Sequence, residues 1–329
     1  MKYGIIGTGW IAGSFIEGAR LKCDAEIYAV YSRTAAKGGE FAARNGIECV
    51  YTDFDEFLQS DIEAVYVASP NVCHYEQSKR CLEAGKHVIC EKPVTVTYEQ
   101  YSECKAIADS RGLVYLEAIM YMHTPGRDTL RETAASLGRI SGAHFDFSQL
   151  SSKYPAYLRG ENPNIFNPEM ATGALMDLGI YCVYPALDLF GDPVKMHSDA
   201  VFLESGADSV GTAILNYGDK IVTLTYSKTA QDYKGSQILG DRGTITVESI
   251  SKLVNGFVID SEGKKSEILP DIPKAELMGF EAEDFERFID NIADEKYALC
   301  DSMTRRVLKL MERIRECSGI HFGKENQDA

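Results

Sequence analysis

The sequence predicts an α/β protein of two domains: a doubly wound, mostly parallel sheet over residues 1–121, then a domain over 122–329 built around a mainly antiparallel sheet. Three observations predict it. Through residue 118, short apolar strands alternate with helical patterns, as in βα units on a parallel sheet. Beyond residue 125 the pattern changes to runs of apolar–polar alternation separated by turn residues, as in half-buried antiparallel strands. The chain has 329 residues, 45% of them hydrophobic, which is more than one small core at roughly 150 residues per domain.

The elements follow in order. A strand over 2–6 runs into Gly7-Thr8-Gly9-Trp10-Ile11-Ala12 and a helix to residue 19. This is the GxGxxA form of the dinucleotide fingerprint in its setting of strand, turn and helix. Gly7 permits the tight turn, Gly9 lets backbone approach a pyrophosphate, and Ala12 keeps the helix close to the sheet. Thr8, Trp10 and Ile11 complete the phosphate-binding loop, and the helix N-terminus supplies amide donors. The second strand, 26–31, ends in Ser32-Arg33-Thr34. An acid there would bind a free ribose 2′-hydroxyl, whereas an arginine suits a 2′-phosphate. Ser32, Arg33 and, one turn on, Lys37 therefore predict NADP over NAD.

A strand near 48–51, a helix over 53–59 and a strand over 64–68 continue the alternation. Ser69-Pro70-Asn71 ends that strand at the cofactor edge, and His74 opens the next helix, to 84, either facing the nicotinamide or orienting the loop. Then Val88-Ile89-Cys90 runs into Glu91-Lys92-Pro93. An apolar run stopped by charge and by a residue without a backbone donor reads as a buried strand ending at a functional edge. Ligands bind at the carboxyl ends of strands in such sheets, so Lys92 is the candidate centre of the chemistry, against the alternative of a solvated lysine in a turn. A helix over 98–110 and a strand over 113–118 complete six strands.

In the second half, a helix from 125 to 136 precedes a strand over 140–150 and a long loop, 152–171, rich in Tyr, Asn and Pro. Loops of that length are usually functional or disordered. Residues 173–190 read as a helix that places Asp177 and Tyr181, four apart, on one face. Gly179 costs that helix about 1 kcal/mol relative to alanine, which makes sense where something must come close. Residues 195–269 read as an antiparallel meander. Helices over 275–292 and 302–317 carry apolar stripes, among them Phe285, Phe288, Val307 and Ile314, and a polar tail follows from residue 323.

Composition excludes several partners. A net charge of −15 and an isoelectric point near 4.9 repel nucleic acid and anionic membrane, although one phosphorylated cofactor still binds through local donors. Nine scattered cysteines without a Cys-x-x-Cys pair indicate neither a disulfide framework nor a metal site, and point to the cytoplasm. The apolar first twenty residues lack a cleavage site, and no run of about eighteen apolar residues is expected to span a membrane.

Together these residues resemble the glucose-fructose oxidoreductase, inositol dehydrogenase and rhizopine-catabolism family, Gfo/Idh/MocA, along nearly the whole chain. The carriers are Gly7-Thr8-Gly9 with Ala12, Ser69-Pro70-Asn71 with His74, Ala84-Gly85-Lys86-His87-Val88 leading to Glu91-Lys92-Pro93, Glu117-Ala118, and Gly173 with Asp177-Leu178-Gly179-Ile180-Tyr181. Many members have histidine where this chain has Tyr181; tyrosine is similar to the branch containing dimeric dihydrodiol dehydrogenase and xylose dehydrogenases. The resemblance implies a Rossmann domain, an α/β domain with an open antiparallel sheet, and association through that sheet as a homodimer or larger homo-oligomer. It also implies a cis Lys92–Pro93 peptide and hydride transfer between a secondary alcohol and a carbonyl on a sugar, polyol or diol. The same fold occurs in a yeast galactose-pathway repressor, so a nucleotide-binding regulator without turnover is the alternative.

Hydride transfer needs an acid/base for the hydroxyl proton. Lys92 and Tyr181 are the candidates, with ordinary pKa values of about 10.4 and 10. Protonated Lys92 and a positive nicotinamide both favour tyrosinate. Tyr181 is expected to carry the proton, with Lys92 tuning it and binding hydroxyls, and Asp177 orienting the lysine or the reacting hydroxyl. In a simpler scheme Lys92 transfers the proton itself.

Overall fold

Six strands, β1 (Lys2–Ile6), β2 (Glu26–Tyr31), β3 (Cys49–Tyr51), β4 (Ala64–Val67), β5 (His87–Glu91) and β6 (Tyr115–Ala118), form a parallel sheet in the order β3-β2-β1-β4-β5-β6. The computed structural model describes residues 1–323. Helices α1 (Trp10–Lys22), α2 (Ala35–Asn45), α3 (Phe54–Gln59), α4 (Asn71–Glu83) and α5 (Tyr98–Arg111) make the connections, and α6 (Met120–His123) follows β6. β4 is buried at every residue because helices cover both faces of such a sheet. Phe15 of α1 stacks on Tyr66 of β4 with ring centroids 3.8 Å apart. Asp53 caps α3, accepting from the Asp55 and Glu56 amides at 2.8 and 3.0 Å, a contribution of about 1 kcal/mol. The doubly wound sheet expected from the alternation is present, and its order reverses between β1 and β4.

After α7 (Gly126–Ser136) and β7 (Ile140–Ser148), the expected long loop contains structure of its own: α8 (Tyr154–Leu158) and two 3₁₀ turns, Asn164–Phe166 and Pro168–Met170. Tyr154, Tyr157 and Phe166 gather it through ring contacts of 5.4–6.2 Å. The helix expected over 173–190 forms, but its first part is a π-helical turn, Leu175–Gly179, before α9 (Ile180–Phe190). Such turns are rare and often lie at functional sites. What comes close at Gly179 is the Tyr226 ring: a Cβ there would lie 3.0 Å from it and 2.9 Å from Leu175. Pro168–Phe190 is, against expectation, long and apolar enough to span a membrane. However, 72% of that window is buried inside the protein, as in a core helix.

The second sheet has eight strands, ordered β14-β13-β12-β11-β7-β10-β9-β8. The added strands are β8 (Lys195–Phe202), β9 (Asp208–Asn216), β10 (Ile221–Ser227), β11 (Ser236–Gly240), β12 (Gly243–Ser249), β13 (Val254–Asp260) and β14 (Lys265–Leu269). The expected meander is therefore divided. β7 enters its middle, antiparallel to β11 but parallel to β10. Cross-strand partners place His197, Ile214, Thr223, His144, Gln237, Thr246 and Phe257 in one row on one face. Ala143, Phe145, Leu224 and Ile238 are buried on the other.

Two helices close the described chain, α10 (Lys274–Asp290) and α11 (Glu295–Ser318); the latter begins about two turns earlier than expected. The expected continuous domain 122–329 needs correction. One compact unit is Met1–His123 with Pro273–Arg305, and the other is Thr124–Ile272 with the residues from Arg306. The reason is a glycine crossing of α10 on α1. A Cβ at Gly18 would lie 2.5 Å from the Ala275 carbonyl oxygen, and one at Gly279 would lie 2.6 Å from the Lys22 side chain. Polar anchors add to it: His123 Nδ1 lies 2.6 Å from Asp284 Oδ2, and Tyr101 donates to Asp301 at 2.8 Å. Of the expected polar tail, residues 324–329 lie outside the described residues.

Candidate active site

Register brings the first group of predicted residues together. Ile6 of β1 pairs with Tyr31 of β2 and Val67 of β4, and Val67 pairs with Cys90 of β5. The chain therefore leaves neighbouring strands at the same edge as Ser32-Arg33, Gly7-Thr8-Gly9, Ser69-Pro70-Asn71 and Glu91-Lys92. That edge flanks the point where strand order reverses, which is where open α/β sheets bind ligands.

The fingerprint has the geometry a dinucleotide requires. Gly7 has φ +106°, and a Cβ there would collide with the Ala68 carbonyl oxygen. A Cβ on Gly9 would meet nothing within 4 Å, so backbone is open to approach. Gly9 is also the N-cap of α1, with no side-chain cap and no acid in the first turn. The helix-terminal amides thus keep their donors for an anion. Ile11 is half-buried, whereas Trp10 is 71% exposed, with Lys274 Nζ 3.9 Å from its ring centroid. Arg33 and Lys37 are exposed at the end of β2, while Ser32 is buried. The Arg33 charge reaches Cys73 in the first turn of α4, where it opposes the upward push of burial on that thiol.

Around Lys92 the protein fixes the turn with buried polar groups. The Lys92–Pro93 peptide is cis. His74 is 1% exposed, with Nδ1 2.8 Å from the Pro93 oxygen and Nε2 2.8 Å from the Ser69 oxygen. Of the two roles open to His74, this placement suits the loop-orienting one: both ring nitrogens face backbone carbonyl oxygens, to one of which the neutral imidazole donates. Burial lowers its pKa, the two carbonyls pull the other way, and the Lys92 charge lowers it further. Glu117 is buried and accepts from the Val94 amide at 2.9 Å and from Thr304 at 3.2 Å. Glu91 accepts from Tyr66 at 2.5 Å. Burial raises the Glu91 carboxyl, and the Tyr66 hydroxyl, Lys92 and Lys274 oppose that rise. Glu281 of α10 is held well above the usual carboxylate range by burial and by Glu91.

Lys92 belongs to the first unit, and Asp177 and Tyr181 to the second. Tyr181 is half-buried, its ring edge-on to Phe147 with centroids 5.4 Å apart. The regular four-residue spacing expected between Asp177 and Tyr181 is altered, because Asp177 lies in the π turn and Tyr181 in α9. Asp177 is ion-paired through Oδ2 with Lys228 at the end of β10. Next to this pair lies Asp208, fully buried, whose Oδ2 accepts from the Leu175 amide at 2.7 Å. Burial pushes the Asp208 carboxyl up to about 6, with the Leu175 amide and the Lys228 charge among the opposing influences. Sequence reasoning passed over Lys228, Asp208, Tyr226 and Lys274. In sequence, Lys228 is a lysine after an alternating strand, a pattern that ordinarily marks a solvated end.

Comparison with known proteins agrees with this architecture. The oxidoreductase family GFO_IDH_MocA, with an NAD-binding Rossmann fold, matches residues 1–118, and the GFO/IDH/MocA C-terminal domain matches residues 131–246. The chain is 35% identical over 325 residues to scyllo-inositol 2-dehydrogenase (NADP(+)) of Bacillus subtilis (strain 168), covering 98% of each. It is 27% identical over 339 residues to trans-1,2-dihydrobenzene-1,2-diol dehydrogenase of Macaca fascicularis, covering 99% of each. Among solved structures, a 3-ketoreductase from Actinomadura kijaniata, in complex with NADP and TDP-benzene, superposes with a TM-score of 0.85 at 21% identity. The match covers 97% of this chain and 98% of that one. These matches span the parallel-sheet unit and much of the second, and the chain belongs to the GFO/IDH/MocA oxidoreductase family.

Proposed function

We propose that the chain is an NADP-dependent oxidoreductase of the cytoplasm that interconverts a secondary alcohol and a carbonyl on a polyol, sugar or diol. The observation that carries this reading is the shared edge of β1, β4 and β5, from which the fingerprint and Lys92 emerge with Ser69-Pro70-Asn71 between them. Similarity to an NADP(+)-linked scyllo-inositol dehydrogenase and to a dihydrobenzenediol dehydrogenase supports the substrate class. Nine cysteines without a disulfide support a reducing compartment.

Bound NADP supplies the hydride acceptor for oxidation and the donor for reduction. The uncapped α1 terminus and the open face of Gly9 hold the pyrophosphate, and Arg33 with Lys37 holds the 2′-phosphate. As the substrate carbon gives up its hydride, its hydroxyl proton passes to Tyr181 Oη and the C=O bond forms; reduction returns the proton. Lys92 binds the reacting hydroxyl or the ribose hydroxyls, and Asp177 accepts from a substrate hydroxyl. The test is NADP⁺-linked oxidation across scyllo-inositol, trans-dihydrobenzenediol and levoglucosan. Turnover of at least one is expected, and none with any of them would remove the reading.

Two expected results accompany it. Arg33→Ala should weaken NADP⁺ binding about 10- to 100-fold, the worth of one hydrogen bond to a charged group, and leave NAD⁺ binding unchanged. Equal weakening of both cofactors, or of neither, in a binding titration contradicts the 2′-phosphate assignment. A homodimer or larger homo-oligomer should form through the open sheet face, where Ile214 and Ile221 are each 43% exposed beside threonines. A one-sided antiparallel sheet with such a face needs cover. Light scattering of a monomer at micromolar concentration would eliminate this assembly.

A further inference from the structure

The geometry points to Lys228 as the positioning residue of the substrate side, its buried ammonium paired with Asp177 so that the Asp177 carboxylate is held in orientation for a substrate hydroxyl. This inference rests on the functional reading above, in which Asp177 meets the polyol. Lys228 is 4% exposed and Asp208 fully buried, so neither serves solubility. Burying an ammonium is unfavourable unless it is paired. Here it pairs with Asp177 and lies within electrostatic reach of Asp208. The Lys228 backbone is itself pinned, with its amide donating to the Ser209 oxygen at 2.8 Å and its carbonyl accepting from Ser151 at 2.9 Å.

Asp208, within electrostatic reach of the same ammonium, anchors the start of the helix. Its Oδ2 takes the Leu175 amide, while its buried Oδ1 has no hydrogen-bond partner. Gly173, at φ +152°, lies against that carboxylate so closely that a Cβ would collide with Oδ1. One cation therefore meets two acids, one that anchors the π turn and one on the turn itself. A merely structural ion pair would need neither the second buried acid nor the irregular turn.

The experiment uses scyllo-inositol and NADP⁺ with the full chain. Lys228→Met is expected to raise KM for scyllo-inositol about 10- to 100-fold, the loss of one well-placed charged hydrogen bond, with kcat and NADP⁺ affinity nearly unchanged. Lys228→Arg, which keeps the charge, should recover part of the loss, and Lys228→Met should add little in an Asp177→Asn background. A lowered melting temperature with unchanged KM, or full additivity of the two substitutions, overturns the inference. If the buried Asp208 beside Asp177 without a cation prevents folding, Lys228→Met with Asp208→Asn removes one charge and carries the same test. A wild-type chain that turns over no polyol fails the functional reading itself, and does so before any Lys228 variant is compared.

Discussion

Tyr181→Phe is expected to lower kcat by about 10²–10⁴-fold while NADPH binding survives, because it removes the hydroxyl proposed to carry the proton. That loss corresponds to about 2.7–5.4 kcal/mol of barrier. The ring keeps its edge-on contact with Phe147, so stability should change little. Lys92→Met is expected to lower kcat on the same scale. It differs in leaving beside Glu91 and His74 a site that has lost its positive charge, since Lys92 now bears on both of those groups. Near-normal turnover in Tyr181→Phe would return proton transfer to Lys92. Near-normal turnover in both would end the site assignment.

Gly18→Val is expected to destabilise the first unit by about 3 kcal/mol or more, at the upper end of overpacking effects. The new Cβ meets backbone on the facing helix, the Ala275 oxygen at 2.5 Å and the Gly279 nitrogen at 2.6 Å, and no rotamer change relieves a clash with main chain. Gly39→Ala, where a Cβ meets nothing within 4 Å, is the control and should be neutral or slightly stabilising, because alanine is the better helix former. Urea denaturation followed in both variants measures the difference. An unchanged midpoint for Gly18→Val would mean that α10 does not hold to α1 as described.

Much of the first unit was legible because its determinants are local. The run Ala64-Val65-Tyr66-Val67 is apolar throughout, as a strand buried on both faces must be, and the glycines at 7 and 9 sit where strand becomes helix. The return of α10 was not legible. Its stripe of Phe285 and Phe288 fits any core, and only the pairing of Gly18 with Gly279, far apart in sequence, specifies α1 as the partner. The parallel pairing of β7 with β10 was hidden for a similar reason, since alternation marks a strand but not its neighbour. At the candidate site, residues on loops after strands were readable from type and spacing. Lys228 was not, because its partner Asp177 is distant in sequence.

The most direct measurement is isotope transfer. Scyllo-inositol carrying deuterium on its ring carbons is incubated with the protein and NADP⁺, and the cofactor is recovered for mass analysis. The proposed hydride transfer predicts reduced cofactor enriched in one deuterium, at a rate that falls with Tyr181→Phe and Lys92→Met. Cofactor that binds and is recovered oxidised and unlabelled, with this and every other alcohol of the panel, would contradict it and identify the chain as a nucleotide-binding protein without turnover.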